Sequence, residues 1–239
     1  MASRVGLYQT HSPPPQKMLA LSDLEEALTK AYPKAVSSRR LAMGNRQGKR
    51  YEMRKVVIAV LVAVCGLSTG FAQQREKLDK IQTALKEDVP HILCVDEHFA
   101  TAGQPKDSAF AKLAENGYRS VLSLRTGSEG IDLAHEKEMV EKAGMRFINI
   151  PVQSGSPKPE QVTEFIKAVK DNSNQPMLIH CGSANRVGAF WMIYRVVDQG
   201  WPEDKALEEA ITIGLTSPAL KTFAHEYIAS QPKKPKFGD

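Results

Sequence analysis

The stretch that most constrains this chain is Pro176-Met177-Leu178-Ile179-His180-Cys181-Gly182-Ser183-Ala184-Asn185-Arg186-Val187-Gly188, which runs on into the apolar segment 189–197. It reads as an apolar strand, a tight loop of small residues, and a helix. Small residues let the backbone N–H groups of such a loop converge, and the following helix points its positive end at the same place, so the layout is that of an anion cradle. Cys181 stands at its floor. A cysteine is ordinarily a small hydrophobe in a core, but next to a helix N-terminus and a cation its pKa falls from ~8.5 and the reactive thiolate forms. Cys181 is therefore the candidate nucleophile, and Arg186, with a planar fork of donors, the candidate ligand for a tetrahedral anion. Gly182, Ser183, Ala184 and Asn185 offer backbone N–H groups, Ser183 and Asn185 offer side-chain donors as well, and Val187 and Gly188 complete the loop. His180 either hydrogen-bonds and orients the loop or is a core histidine.

Strand-like and helix-like segments alternate through the C-terminal two thirds. Leu78, Ile81 and Leu85 recur at three- and four-residue steps, which predicts an amphipathic helix over 73–89. Residues 91–95 form a short strand candidate. Helices are expected over 108–115, 133–142, 160–169, 203–213 and 218–228, and strands over 119–124, 147–152 and 177–179. Such alternation argues for an α/β fold, a single domain over 73–239 with a mostly parallel sheet flanked by helices. Ligands bind such sheets at the C-terminal ends of the strands. Cys181, Arg125 and the loop after Val152 all fall at such ends.

The front of the chain has a different character. The formal net charge is +5, but the surplus of Lys and Arg lies in the first 72 residues and the remainder is slightly acidic. Nucleic-acid binding by the folded part is therefore not expected, because phosphate backbones are held by clustered cations. Arg54 and Lys55, the apolar run from Val56 to Leu67, and Gly70 and Ala72 follow the order of a secretory signal peptide, with cleavage after Ala72. A membrane is a partner only if 56–72 stays uncleaved as an anchor, and the apolar run is short for a span of about 20 residues. The expectation is an exported, periplasmic protein, with residues 1–52 an upstream extension, disordered or not translated, and 53–72 the leader. Export would leave Cys94 and Cys181 as the two thiols, which opens the alternative of a disulfide between them. The histidines show no metal-site spacing, and no dinucleotide fingerprint occurs, so neither a metal nor another cofactor is expected.

The His-Cys loop resembles the signature loop of the cysteine-dependent protein tyrosine and dual-specificity phosphatases. More closely, Thr101-Ala102-Gly103-Gln104-Pro105, Val121-Leu122-Ser123-Leu124-Arg125, Ile150-Pro151-Val152 and the loop together resemble the bacterial phosphatase-like domains related to beta-lactamase-hydrolase-like proteins, over residues 90 to 230. The resemblance implies a phosphatase-type central sheet and hydrolysis of phosphate monoesters through a cysteinyl phosphate on Cys181. It also implies a phosphorylated protein or small phosphorylated molecule as partner. Three departures stand against it. Four residues rather than five separate Cys181 from Arg186, a spacing also similar to the rhodanese-type sulfurtransferases, whose cysteine carries a persulfide. Val187 replaces the Ser or Thr that follows the loop arginine in the phosphatases. Gln153-Ser154-Gly155-Ser156 follows Val152 where dual-specificity phosphatases carry the general acid. The acid candidates are Glu129 and Asp132, Glu129 being preferred, and Arg125 is either a second anion ligand or the salt-bridge partner of Glu129. A persulfide-carrying transferase and an inactive phosphate-binding module are the alternatives.

Overall fold

The computed structural model describes residues 72–232. The extension over 1–52, the leader over 53–72 except residue 72, and most of the C-terminal tail lie outside these residues. Helix α1 covers 72–85 and is followed by β1 (Leu93–Cys94) and β2 (Phe99–Ala102). Then come α2 (Asp107–Glu115), β3 (Ser120–Ser123), a 3-10 turn at Gly127–Glu129, α3 (Leu133–Lys142), β4 (Arg146–Asn149) and α4 (Pro159–Lys170). Strand β5 (Met177–His180) leads into α5 (Asn185–Ile193), whose end widens into a π-helical turn at Tyr194–Asp198; α6 (Glu203–Ile213) and α7 (Pro218–Ser230) close the fold.

The sheet order is β1-β2-β5-β3-β4, parallel except for the antiparallel edge strand β1. Strand β5 lies between β2 and β3, with Ala102 and Ser123 both opposite His180. Its side chains are wholly buried, which is why Met177-Leu178-Ile179 reads as a continuous apolar run. Alternation along the strand sends Met177, Ile179 and Cys181 to one layer and Leu178 to the other. The first layer joins α4, α5, α6 and α7 around Phe165, Phe190 and Trp191. The second joins α1, α2 and α3, where Leu85, Phe110 and Leu113 are buried and Leu78 and Ile81 pack against them. Each fully buried side chain of this size contributes roughly 1.5–3 kcal/mol.

Helix α5 is apolar around almost its whole circumference, with residues 186–193 all buried, as a helix enclosed by others must be. Gly188 lets α6 approach it. A Cβ there would lie 2.8 Å from the Ala210 oxygen and 2.9 Å from the Leu215 Cβ.

Candidate active site

Cys181 is the first residue beyond β5 and is 1% exposed. Its N–H donates to the Ala102 oxygen at 3.3 Å, Gln104 N–H donates to the Gly182 oxygen at 3.2 Å, and Gly103 bridges to Ser183. The loop is thus sewn to the end of β2. Gly182 and Ser183 are exposed at its mouth, while Ala184 turns the chain into α5 through the left-handed region at φ 63°. A non-glycine residue held there costs of order 1–3 kcal/mol, and such strain collects where a loop is shaped for binding. Gly214 makes room, since a Cβ on it would meet the Ala184 Cβ at 3.0 Å.

Arg186, in the first turn of α5, is 4% exposed. Its Nη1 donates to the Leu124 oxygen (2.9 Å), the Val152 oxygen (2.7 Å) and Glu129 Oε1 (2.6 Å), and its Nη2 to Glu129 Oε2 (2.7 Å). Carbonyls at the ends of β3 and β4 and a bidentate carboxylate therefore fix the guanidinium plane. A guanidinium carries five N–H donors, and these contacts leave the Nε–H and one Nη2–H for other acceptors. Burial acts to lower the Arg186 pKa, but the Glu129 hydrogen bonds and the neighbouring Cys181 sulfur outweigh it and raise it.

Glu129 ends the 3-10 turn after β3, and its Oε1 also accepts from Thr126 N at 2.8 Å. Arg125 Nε lies 2.7 Å from Glu129 Oε2. One carboxylate thus sits between two guanidiniums. Burial acts to raise its pKa, but Arg186, the Thr126 N–H and Arg125 together hold it at about 2. Clamped between the two guanidiniums, Glu129 is placed to orient Arg186, an arrangement that suits positioning better than the proton delivery expected of it. Asp132 is the N-cap of α3, accepting from His135 N at 2.9 Å. The segment after Val152 closes as a turn, Ser156 N to the Gln153 oxygen.

A second polar cluster lies on the other face of the sheet. His180 is 0% exposed, and its Nε2 is 2.9 Å from Glu136 Oε1 of α3. Gln104 joins them by donating from Nε2 to Glu136 Oε1 (3.0 Å) and accepting from Arg125 Nη1 on Oε1 (2.8 Å). Burial pushes the Glu136 pKa up, but His180, Gln104 and Arg125 outweigh it and hold the group below the usual carboxylate range. Arg125 itself is 8% exposed. A Cβ on Gly182 would lie 3.6 Å from Arg125 Nη1 and 3.6 Å from Arg186 Nη2, so both arginines border the mouth of the cradle. Among the described residues, the buried side-chain atoms without an aligned hydrogen-bond partner are Arg125 Nε, Glu136 Oε2 and both ring nitrogens of His180. Arg125 Nε approaches Glu129 at 2.7 Å as an ion pair without a well-aimed N–H, and His180 Nε2 approaches Glu136 at 2.9 Å with no better alignment.

The other expected residues divide. His180 lies beneath the cradle and not in it. The Asn185 side chain turns away to the 214–217 loop, where Oδ1 accepts from Thr216 N and Ser217 N, each at 2.8 Å. Val187 is wholly buried in the core and Gly188 N–H is spent on the Ala184 oxygen, so neither lines the cradle as expected. Cys94 and Cys181 are both free and buried, in opposite layers of the sheet, which corrects the disulfide alternative. Gln104 and Glu136 were not singled out from the sequence. Gln104 belongs to the Thr101–Pro105 run that carries the resemblance; Glu136 is one of several acidic residues on a helix, and its burial has no signature there.

The family model described as the DSP-PTPase phosphatase fused to NAD+ kinase matches residues 79–225. A beta-lactamase hydrolase-like protein of Xylella fastidiosa strain Temecula1 is 28% identical over 119 residues, 48% of this chain and 27% of that protein. The dual specificity protein phosphatase TpbA of Pseudomonas aeruginosa strain UCBPP-PA14 is 29% identical over 76 residues, 31% of this chain and 35% of that protein. The chain therefore spans only about a quarter to a third of these curated relatives. Among solved structures, a phosphatase candidate from Shewanella putrefaciens CN-32 superposes with a TM-score of 0.52 at 22% identity, covering 60% of this chain and 89% of that one. The core catalytic domain of the PP-IP phosphatase SIW14 from S. cerevisiae gives 0.51 at 19% identity, covering 59% and 87%. These two likenesses establish the phosphatase-type fold. With the family match extending from α1 into α7, across every strand of the sheet, the chain belongs to the DSP-PTPase phosphatase family.

Proposed function

We propose that this chain hydrolyses phosphate monoesters through a cysteinyl phosphate on Cys181. The observation that carries the reading is the pairing of Cys181 with an Arg186 guanidinium whose orientation is fixed by Glu129 and two carbonyls while two of its N–H groups stay unspent. In the first step the Cys181 thiolate attacks phosphorus, an S–P bond forms, the P–O bond to the leaving group breaks, and that oxygen departs with the electron pair. Arg186 and the loop N–H groups stabilise the charge on the equatorial oxygens, in a site where such preorganised donors are the main catalytic term. In the second step water attacks the phosphocysteine, the thiolate is regenerated, and inorganic phosphate leaves with the water proton on phosphate or solvent.

A phosphorylated protein or a small phosphorylated molecule is the substrate this reading favours, in keeping with TpbA as a dual specificity protein phosphatase and SIW14 as a PP-IP phosphatase. Export by the 53–72 segment remains part of the proposal and is checked by the N-terminal mass of the mature protein, expected to begin at Gln73. The central test is phosphate release from 4-nitrophenyl phosphate by the reduced protein beside its Cys181→Ser variant. Turnover lost in the variant is the expected outcome. No turnover in the folded wild type, together with sulfur transfer from thiosulfate to cyanide, would overturn the reading in favour of persulfide chemistry.

A further inference from the structure

We propose that Asn185 is a positioning residue that latches the cradle into its anion-binding shape: clasped by the 214–217 loop, it holds Ala184 in the left-handed turn on which the convergence of the N–H groups depends. The inference rests on the reading of the 181–186 loop as a phosphate cradle and assigns what keeps that cradle formed. It starts from the length of the loop. Four residues, Gly182 to Asn185, carry the chain from the end of β5 to Arg186 in the first turn of α5. The turn is made by Ala184, at φ 63° and ψ −2°, and the right-handed helix begins with the next residue. A left-handed residue beside a right-handed one bends successive N–H groups towards one point, the geometry of an anion-binding nest. The first N–H groups of α5 have no acceptor within the helix and add to that concavity. Alanine does not hold such a turn by itself. Glycine visits the left-handed region freely, but for a residue with a Cβ it is disfavoured about tenfold.

The second observation is what surrounds the turn. Asn185 commits both polar atoms of its side chain to one loop: Oδ1 accepts from Thr216 N and Ser217 N, each at 2.8 Å, and from Thr216 Oγ1 at 3.2 Å, while Nδ2 donates to Thr216 Oγ1 at 3.1 Å. The same loop closes on Ala184 directly, since a Cβ on Gly214 would lie 3.0 Å from the Ala184 Cβ and 3.3 Å from the Ser183 oxygen. The loop is itself anchored at both ends. Leu215 is wholly buried, and Ser217 caps α7 by accepting from Leu220 N. Asn185 therefore ties the residue after the turn to a fixed support. Without that tie the fraction of molecules holding the turn falls about tenfold, and the apparent affinity for an anion falls in proportion.

The test is the binding of inorganic phosphate, followed by titration calorimetry, to the full chain carrying Cys181→Ser, in which neither turnover nor thiol oxidation intervenes. Asn185→Ala in that background is expected to weaken phosphate binding about tenfold. Adding Ala184→Gly is expected to restore the affinity to within about twofold of the parent, because glycine holds the turn unaided. An asparagine that merely stabilised the fold would lower the melting temperature and leave the affinity of the folded protein alone. Binding by Asn185→Ala within about twofold of the parent therefore overturns the proposal, as does a loss that Ala184→Gly fails to restore. Thr216→Val, isosteric and on an exposed residue, removes only the hydroxyl contacts to Asn185 and is expected to weaken binding about threefold, again with rescue by glycine. Should Asn185→Ala fail to fold, unchanged binding by Thr216→Val overturns the proposal. No phosphate bound by the parent rejects the cradle and both readings with it. Phosphate bound, with no turnover of 4-nitrophenyl phosphate by the unaltered protein, rejects the phosphocysteine reading alone and leaves the latch to be decided by the variants.

Discussion

Two buried arginines nine positions apart, Arg186 and Arg195, each grip a glutamate with both arms, yet they are built for different ends. Arg195 donates to Glu209 from Nε (2.6 Å) and Nη2 (2.9 Å) and to Gln199 Oε1 from Nη1 (2.6 Å), while its guanidinium stacks between Trp191 and Trp201 at 4.8 and 4.2 Å. Both of its edges are consumed. Arg186 puts Nη1 and half of Nη2 into the scaffold and keeps its remaining donors for the cradle, with the Cys181 sulfur beside it. Burial and a carboxylate partner are common to both. On the proposed mechanism, what separates a phosphate-binding arginine from a structural one is the set of donors that the scaffold leaves open.

The largest expected effect is at Arg186. Arg186→Lys keeps the charge but loses the fork, and kcat on 4-nitrophenyl phosphate is expected to fall about 100- to 1,000-fold. The comparison breaks if Arg195→Lys costs as much. Glu129→Gln comes next, with kcat/KM lowered about 10- to 100-fold through loss of the Arg186 orientation. A proton donor would leave an activity limb on the alkaline side, whereas a carboxylate held at about 2 leaves none above pH 4 that the variant removes. The linkage sign is that of a depressed carboxylate: its stabilisation is complete above the ordinary value of 4.5 and is lost as pH falls through about 2. The melting temperatures of wild type and Glu129→Gln are therefore expected to differ at pH 7 and to converge between pH 4.5 and 2.

Gly188→Ala tests the helix that carries both arginines. Alanine normally stabilises a helix interior, but here its methyl group meets the Ala210 oxygen and Leu215, and a loss of about 1–3 kcal/mol in denaturant unfolding is expected. A stabilised variant would mean that α5 and α6 are free to separate. The smallest effect on activity belongs to Arg195→Lys, expected within about threefold of wild type while stability falls by about 1–3 kcal/mol. That split between rate and stability is what the comparison demands.

The sequence exposed the sheet and the cradle because both depend on local pattern. Apolar β5, the small residues after it and α5 are contiguous, so Cys181 and Arg186 could be named together; α3 and α6 fall on the residues that their periodicity predicts. Strand β2 was invisible as a strand, since Phe-Ala-Thr-Ala is four residues long and takes its conformation from pairing with β5. The π-turn over Tyr194–Asp198 was equally hidden, for it accompanies the stacking of Arg195 on Trp201 and not any propensity of its own. At the site, the Arg125–Glu129 pair was legible at four-residue spacing, but the role of Glu129 was not. Its bonds to Arg186 cross 57 positions and those of Glu136 to Gln104 cross 32. Only the fold brings such groups together.

The place of Cys181 at the end of a strand flanked on both sides has one further consequence. Its amide and that of His180 are knit to β2 and β3, inside the part of the sheet that solvent reaches last. Hydrogen exchange there should require opening of the whole domain. On the proposed mechanism Cys181 then has no partly folded refuge, and activity is expected to vanish in the same cooperative transition that dissolves the sheet.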